Sequence, residues 1–178
     1  HRVAVAGDSA GANLAVRAVL HVVADGYPSP CCLLLISPWI DLSTDAGADT
    51  SMQTNKATDF LVPDLVHLFT REYLTSNSHR SRSKGRPTEI GIDLDRESPS
   101  RSMGRDPRVS PVHAGNELRH LPRTKLIYGS GEVLHDQIER MQARLIEAGV
   151  QLDPSYVGVN MPHVFPIFAT LAWGRGLQ

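Results

Sequence analysis

At 178 residues, with 41% hydrophobic and 21% charged side chains, the chain has the composition of one globular domain rather than two. A net charge of -1 creates no field that would draw nucleic acid or a membrane surface. No apolar run approaches the roughly 18 residues of a membrane span.

The opening, His1-Arg2, leads directly into a strand-like segment, so no targeting signal is readable and an upstream segment is expected. Residues 2–7 (RVAVAG) read as a short buried strand. A helix over 10–24 follows, with Ala12, Ala15, Val16, Val19 and Val23 at helical spacing, and Asp25-Gly26, Pro28 and Pro30 stop it. Cys31 and Cys32 are adjacent, so a bridge between them would be strained, and they read as two small buried hydrophobes. That usage leans towards a reducing, cytoplasmic location and away from a disulfide framework or a cysteine zinc site.

Residues 32–37 (CLLLIS) form an apolar run, expected as a strand buried on both faces. A polar loop then leads to a helix over about 62–74, with Pro63 suited to its first turn. From Ser76 to about Arg105 the chain is rich in Ser, Arg, Gly and Pro, and the stretch reads as a disordered surface insertion. Translated intron sequence would look similar. An RNA-contacting role is disfavoured, because the stretch holds no aromatic residue on which a base could stack. A third strand is expected over 124–129 (TKLIYG), then a helix to about Ala148 ended by Gly149. A fourth strand is expected over 150–157, interrupted by Pro154, and a short apolar helix over 164–173. Strands alternating with helices predict an α/β fold with a mostly parallel sheet.

Gly7-Asp8-Ser9-Ala10-Gly11 fits G-x-S-x-G and sits between an expected strand and an expected helix. That is the context a nucleophile elbow requires: a sharp turn exposes the serine hydroxyl, and small neighbours let strand and helix approach. The N–H of Ala10, near the start of the helix, can donate to an oxyanion. The alternative is a glycine-rich turn without catalysis. A serine needs a base, and the base an orienting carboxylate, in the chain order Ser, acid, His. Glu132 follows the third strand and His163 follows the fourth. Asp8 suits local hydrogen bonding; His135 lies at a helix beginning, His67, His113 and His120 show no matched partner, and no pair of these histidines has metal-ligand spacing. Trp39 and Phe165 could line an acyl pocket, although packing is the preferred reading for both.

GDSAGANL (Gly7 to Leu14), LISPWIDLS (Leu35 to Ser43), DPRVSP (Asp106 to Pro111), GSGEVLHD (Gly129 to Asp136) and MPHVF (Met161 to Phe165) resemble the motifs of hormone-sensitive-lipase-like esterases. The likeness covers the chain except about 76–105, and is greatest to fungal members of the carboxylesterase and steryl acetyl hydrolase type. It implies an α/β-hydrolase fold and serine hydrolysis of short-chain esters without cofactor or metal. By motif position it implies Ser9 as nucleophile, His163 as base and Glu132 as acid. Asp136 is the alternative acid, since the family's segment reads Asp-x-Leu-x-Asp and this chain reads Glu132-Val-Leu-His-Asp136.

The chain departs from the family in one respect: it holds no HGGG-type motif to complete the oxyanion hole. It therefore reads as a C-terminal part, 1–178, of a catalytic domain, with the edge of its elbow strand left open. Two other readings stay open: an inactive truncated fragment, and a non-catalytic ligand-binding member like the gibberellin receptors, which lack the histidine that stands here as His163. Oligomeric state is not legible.

Overall fold

The computed structural model describes residues 3–43, 49–82 and 103–168, with side chains as far as Thr75 in the second stretch. Four strands, β1 (Ala4–Asp8), β2 (Cys32–Ile36), β3 (Thr124–Gly129) and β4 (Tyr156–Gly158), lie side by side in chain order. Every pairing is parallel, with Asp8 opposite Ile36, Ile36 opposite Ile127 and Gly129 opposite Gly158. Parallel neighbours require crossovers. Helix α1 (Ser9–Ala24) makes the first, and α2 (Ser51–Thr54) and α3 (Pro63–Arg82) belong to the second. Helix α4 (His135–Glu147) makes the third. All four carboxyl ends therefore share one edge of the sheet, the edge at which such folds place their sites.

The core follows from helical periodicity. Ala12, Ala15, Val16 and Val19 of α1 are buried, as are Ile138, Met141 and Leu145 of α4. These stripes cover the sheet beside Leu33, Leu35, Leu126 and Tyr128. Two short 3₁₀ turns, Pro111–His113 and Asn116–His120, pack against α1 and α4.

Several expectations need correction. β1 alternates between exposed and half-buried residues, because β2 is its one described neighbour in the sheet. β2 is sealed on the face of Leu33 and Leu35, while Cys32, Leu34 and Ile36 on the other are only half-buried. Cys31 is exposed and Cys32 half-buried; both are free thiols, with their sulfurs 3.8 Å apart. Helix α1 starts one residue earlier than its spacing predicts, at Ser9, and α3 runs on to Arg82. The first part of the expected 76–105 insertion is thus helical, and 83–102 lie outside the described residues. Only Tyr156–Gly158 pair as β4, with one isolated bridge from Thr124 to Leu152, because Pro154 cannot donate to the ladder. The expected terminal helix is present over 165–168, and its remainder, 169–173, lies outside the described residues.

Candidate active site

Ser9 sits where β1 turns into α1, with φ at 50°. That left-handed conformation costs a non-glycine residue about 1–3 kcal/mol and persists only where its surroundings hold it. Here the Ser9 carbonyl accepts the Trp39 N–H at 3.1 Å. Gly7 makes the tight turn possible, since a Cβ there would meet the Gly11 carbonyl carbon at 2.6 Å and the Ala12 nitrogen at 2.7 Å. The strand thus approaches the helix with only a hydrogen between them. Ala10 is the second residue of α1, so its N–H belongs to the first turn, which has no intrahelical acceptor. The Asp8 side chain makes no capping bond to that turn.

Glu132 and His163 arrive from the carboxyl ends of β3 and β4. The His163 Nε2 lies 2.8 Å from the Ser9 Oγ, and its Nδ1 lies 2.8 Å from the Glu132 Oε2. A carboxylate only accepts, so Nδ1 carries the proton and Nε2 is left to accept the Ser9 hydroxyl. Both groups are shielded from water: Glu132 is 0% exposed and His163 3%. The second Glu132 oxygen, Oε1, accepts the Gly129 N–H at 2.6 Å and the Ser37 Oγ–H at 3.0 Å. The buried charge is therefore matched by hydrogen bonds on both oxygens.

Asp136 takes no part in this line. Its Oδ2 accepts the Ser51 N–H at 3.0 Å, which ties α4 to α2. The other histidines stand apart. His113 has a partner after all, Asp41, 3.4 Å from its Nε2, and His135 lies 3.3 Å from Glu139 on the same helix. Among the described residues, no group of three or more His, Cys, Asp or Glu side chains is placed to hold a metal ion. Trp39 is buried in the core and also lines the cavity over Ser9, with its indole N–H on the Asp41 carbonyl at 3.2 Å. Phe165 instead packs towards Tyr156, with ring centres 6.1 Å apart.

That cavity holds about 540 Å³ and is mostly apolar. Besides Ser9, His163 and Trp39, its walls include Phe60 and, one helical turn apart on α3, Phe69 and Tyr73. The Arg17 guanidinium donates to the Tyr73 hydroxyl at 2.9 Å and so joins α1 to α3 at its side.

Several groups around the site lie within the quoted motifs, yet the sequence assigned them no part in it. The Asn13 amide donates to the carbonyls of Trp39 and Val109, both at 3.0 Å. Ser37 and Val164 share the left-handed conformation of Ser9, at φ 43° and 48°, and the Val164 N–H donates to the Ser37 Oγ at 2.9 Å. One signal could have found Ser37: it directly follows a buried strand, on the edge where sites form.

Residues 1–96 match the profile of a family described as alpha/beta hydrolase fold. An acetyl-hydrolase of Streptomyces hygroscopicus is 32% identical over 151 residues, which are 83% of this chain and 40% of that protein. An esterase of Acinetobacter venetianus is 28% identical over 149 residues, again 83% and 40%. Among solved structures, an esterase from the bacterial hormone-sensitive lipase family superposes with a TM-score of 0.71 at 28% identity, covering 94% of this chain and 46% of that one. The chain thus spans about 40% of the length of these curated relatives. With over half of its residues matching the family profile and a superposable parallel sheet, the chain belongs to the alpha/beta hydrolase fold family.

Proposed function

We propose that this chain carries the nucleophile, base and acid of a carboxylic ester hydrolase that works through an acyl-enzyme. The observation that carries the reading is the unbroken hydrogen-bonded line from Ser9 through His163 to Glu132, 2.8 Å at each step. The Ser9 Oγ attacks the ester carbonyl as the His163 Nε2 takes its proton, and Glu132 stabilises the imidazolium that forms. The Ala10 N–H, at the positive end of α1, faces the developing oxyanion. His163 returns the proton to the leaving alcohol, then activates the water that releases the acid. The apolar cavity suits an ester better than a charged substrate, and the names of the Streptomyces and Acinetobacter relatives, acetyl-hydrolase and esterase, support that class. A short acyl group, acetyl among them, is the finer expectation.

A fluorophosphonate probe tests this, with the adduct mapped by mass spectrometry in the unaltered protein, Ser9→Ala and His163→Ala. Labelling is expected on Ser9 and is lost in both variants. Absence of labelling would mean that this chain does not assemble a competent nucleophile and would favour a ligand-binding role. An adduct on another serine would sink the elbow assignment.

A further inference from the structure

The loop between α2 and α3 grips the turn that carries Glu132. The Asn55 amide donates to the carbonyls of Ser130 at 3.0 Å and Glu132 at 2.9 Å, and the Thr58 hydroxyl donates to that of Gly131 at 3.0 Å. Three consecutive carbonyls of the acid turn therefore end on one short loop.

Asp59 completes the grip and extends it to the base. Its side chain is buried, 6% exposed as a residue. The Oδ2 accepts the Val133 N–H at 2.8 Å, while the Oδ1 accepts the His163 N–H at 3.1 Å and the Leu61 N–H at 3.2 Å. Val133 directly follows Glu132, and His163 is the base itself. One rigid, two-oxygen group thus spans the two segments that must meet, through backbone rather than through mobile side chains. Hydrogen bonds from backbone N–H groups to a carboxylate are charge-assisted and directional. An amide in the same place would turn an NH₂ towards at least one N–H donor.

We propose that Asp59 is a positioning residue, whose carboxylate sets the separation of Glu132 and His163 by binding the N–H groups of Val133 and His163 together. The inference rests on reading Ser9, Glu132 and His163 as nucleophile, acid and base. Asp59 touches none of the reacting atoms; it acts through the backbone of the residues that do. Its neighbour Phe60 lines the cavity and lies 6.0 Å from the His163 ring centre, so the same loop joins the cavity wall to the base.

The test needs a readout that general loss of stability would not move. The ring N–H of His163 hydrogen-bonded to Glu132 gives a low-field proton signal in ¹⁵N-histidine-labelled protein, observable without turnover. It is recorded for the unaltered protein, Asp59→Asn and His163→Ala, with far-UV circular dichroism as the check on folding. The rate of Ser9 phosphonylation is followed in parallel. Asp59→Asn is expected to shift or abolish the signal and to slow phosphonylation by about 10- to 100-fold, with apparent probe affinity changed by less than about threefold. A folded Asp59→Asn that keeps the signal unmoved and the rate within about twofold overturns the proposal. If Asp59→Asn does not fold, Asp59→Glu is measured by the same criteria, since the added methylene displaces the carboxylate from the three N–H groups. A signal that survives His163→Ala, or is missing from the unaltered protein, defeats the assignment of acid and base themselves and takes the proposal with it.

Discussion

Ser37 is fully buried and left-handed, and its single hydroxyl serves both loops of the site: it donates to Glu132 and accepts from Val164. Ser37→Ala leaves the buried Val164 N–H without its acceptor and removes one of the donors to Glu132. The expected loss is about 1–3 kcal/mol of stability, read from urea unfolding, because a buried donor without a partner carries its full desolvation cost. A change under about 0.5 kcal/mol would show that the loop relaxes to find another acceptor. That Ser9, Glu132 and His163 meet was legible in the sequence because each comes with local context, a small-residue turn or a loop just after a strand. The partners of Ser37, Asp59 and Asn13 were not, although Ser37 directly follows a strand and Asn13 lies in the elbow motif. Each acts by accepting or donating to backbone far along the chain, and nothing in its immediate neighbours records that distance.

At the scale of the element, the two glycines of the elbow motif do different work. A methyl at Gly7 would press on the backbone of α1, whereas a methyl at Gly11 meets only the Asp8 Oδ1, at 3.9 Å. Gly7→Ala is therefore expected to cost about 1–3 kcal/mol through overpacking. Gly11→Ala is expected to be neutral, or to stabilise by up to about 1 kcal/mol through helix propensity. Urea midpoints of the two variants check the contrast, and equal effects would contradict the close approach of strand and helix. The elements themselves were largely readable. β3 matches its expected bounds, and α1, β2 and α4 follow their apolar spacing to within a residue or two. The misses have physical causes. The end of α3 carries Ser and Arg in place of an apolar stripe, so periodicity fell silent while the helix continued. β4 is shorter than the expected 150–157 because Pro154 cannot donate to the ladder, and backbone pairing decides where a ladder can run.

For the molecule as a whole, two exposed ion pairs predict the acid side of stability. Hydrogen bonds from Arg108 hold the Asp106 carboxyl below its ordinary range, and those from Arg123 do the same for Asp153. A carboxyl depressed in the folded state contributes stability above its unfolded value, near about 3.9, and loses it as pH falls through the folded value. The unaltered protein should therefore lose stability below about pH 4 more steeply than Asp106→Asn/Asp153→Asn. Urea midpoints at neutral pH and at about pH 3 measure it, and equal slopes would mean that the pairs do not persist in solution.

The bond between Ser9 and His163 joins residues 154 positions apart. Closing a contact of such range costs loop-closure entropy before the contact returns anything. That hydrogen bond is in this sense a certificate of completed folding: the chain can collapse and pair its strands, yet Ser9 and His163 meet only when the turn after β1 and the loop after β4 have found each other.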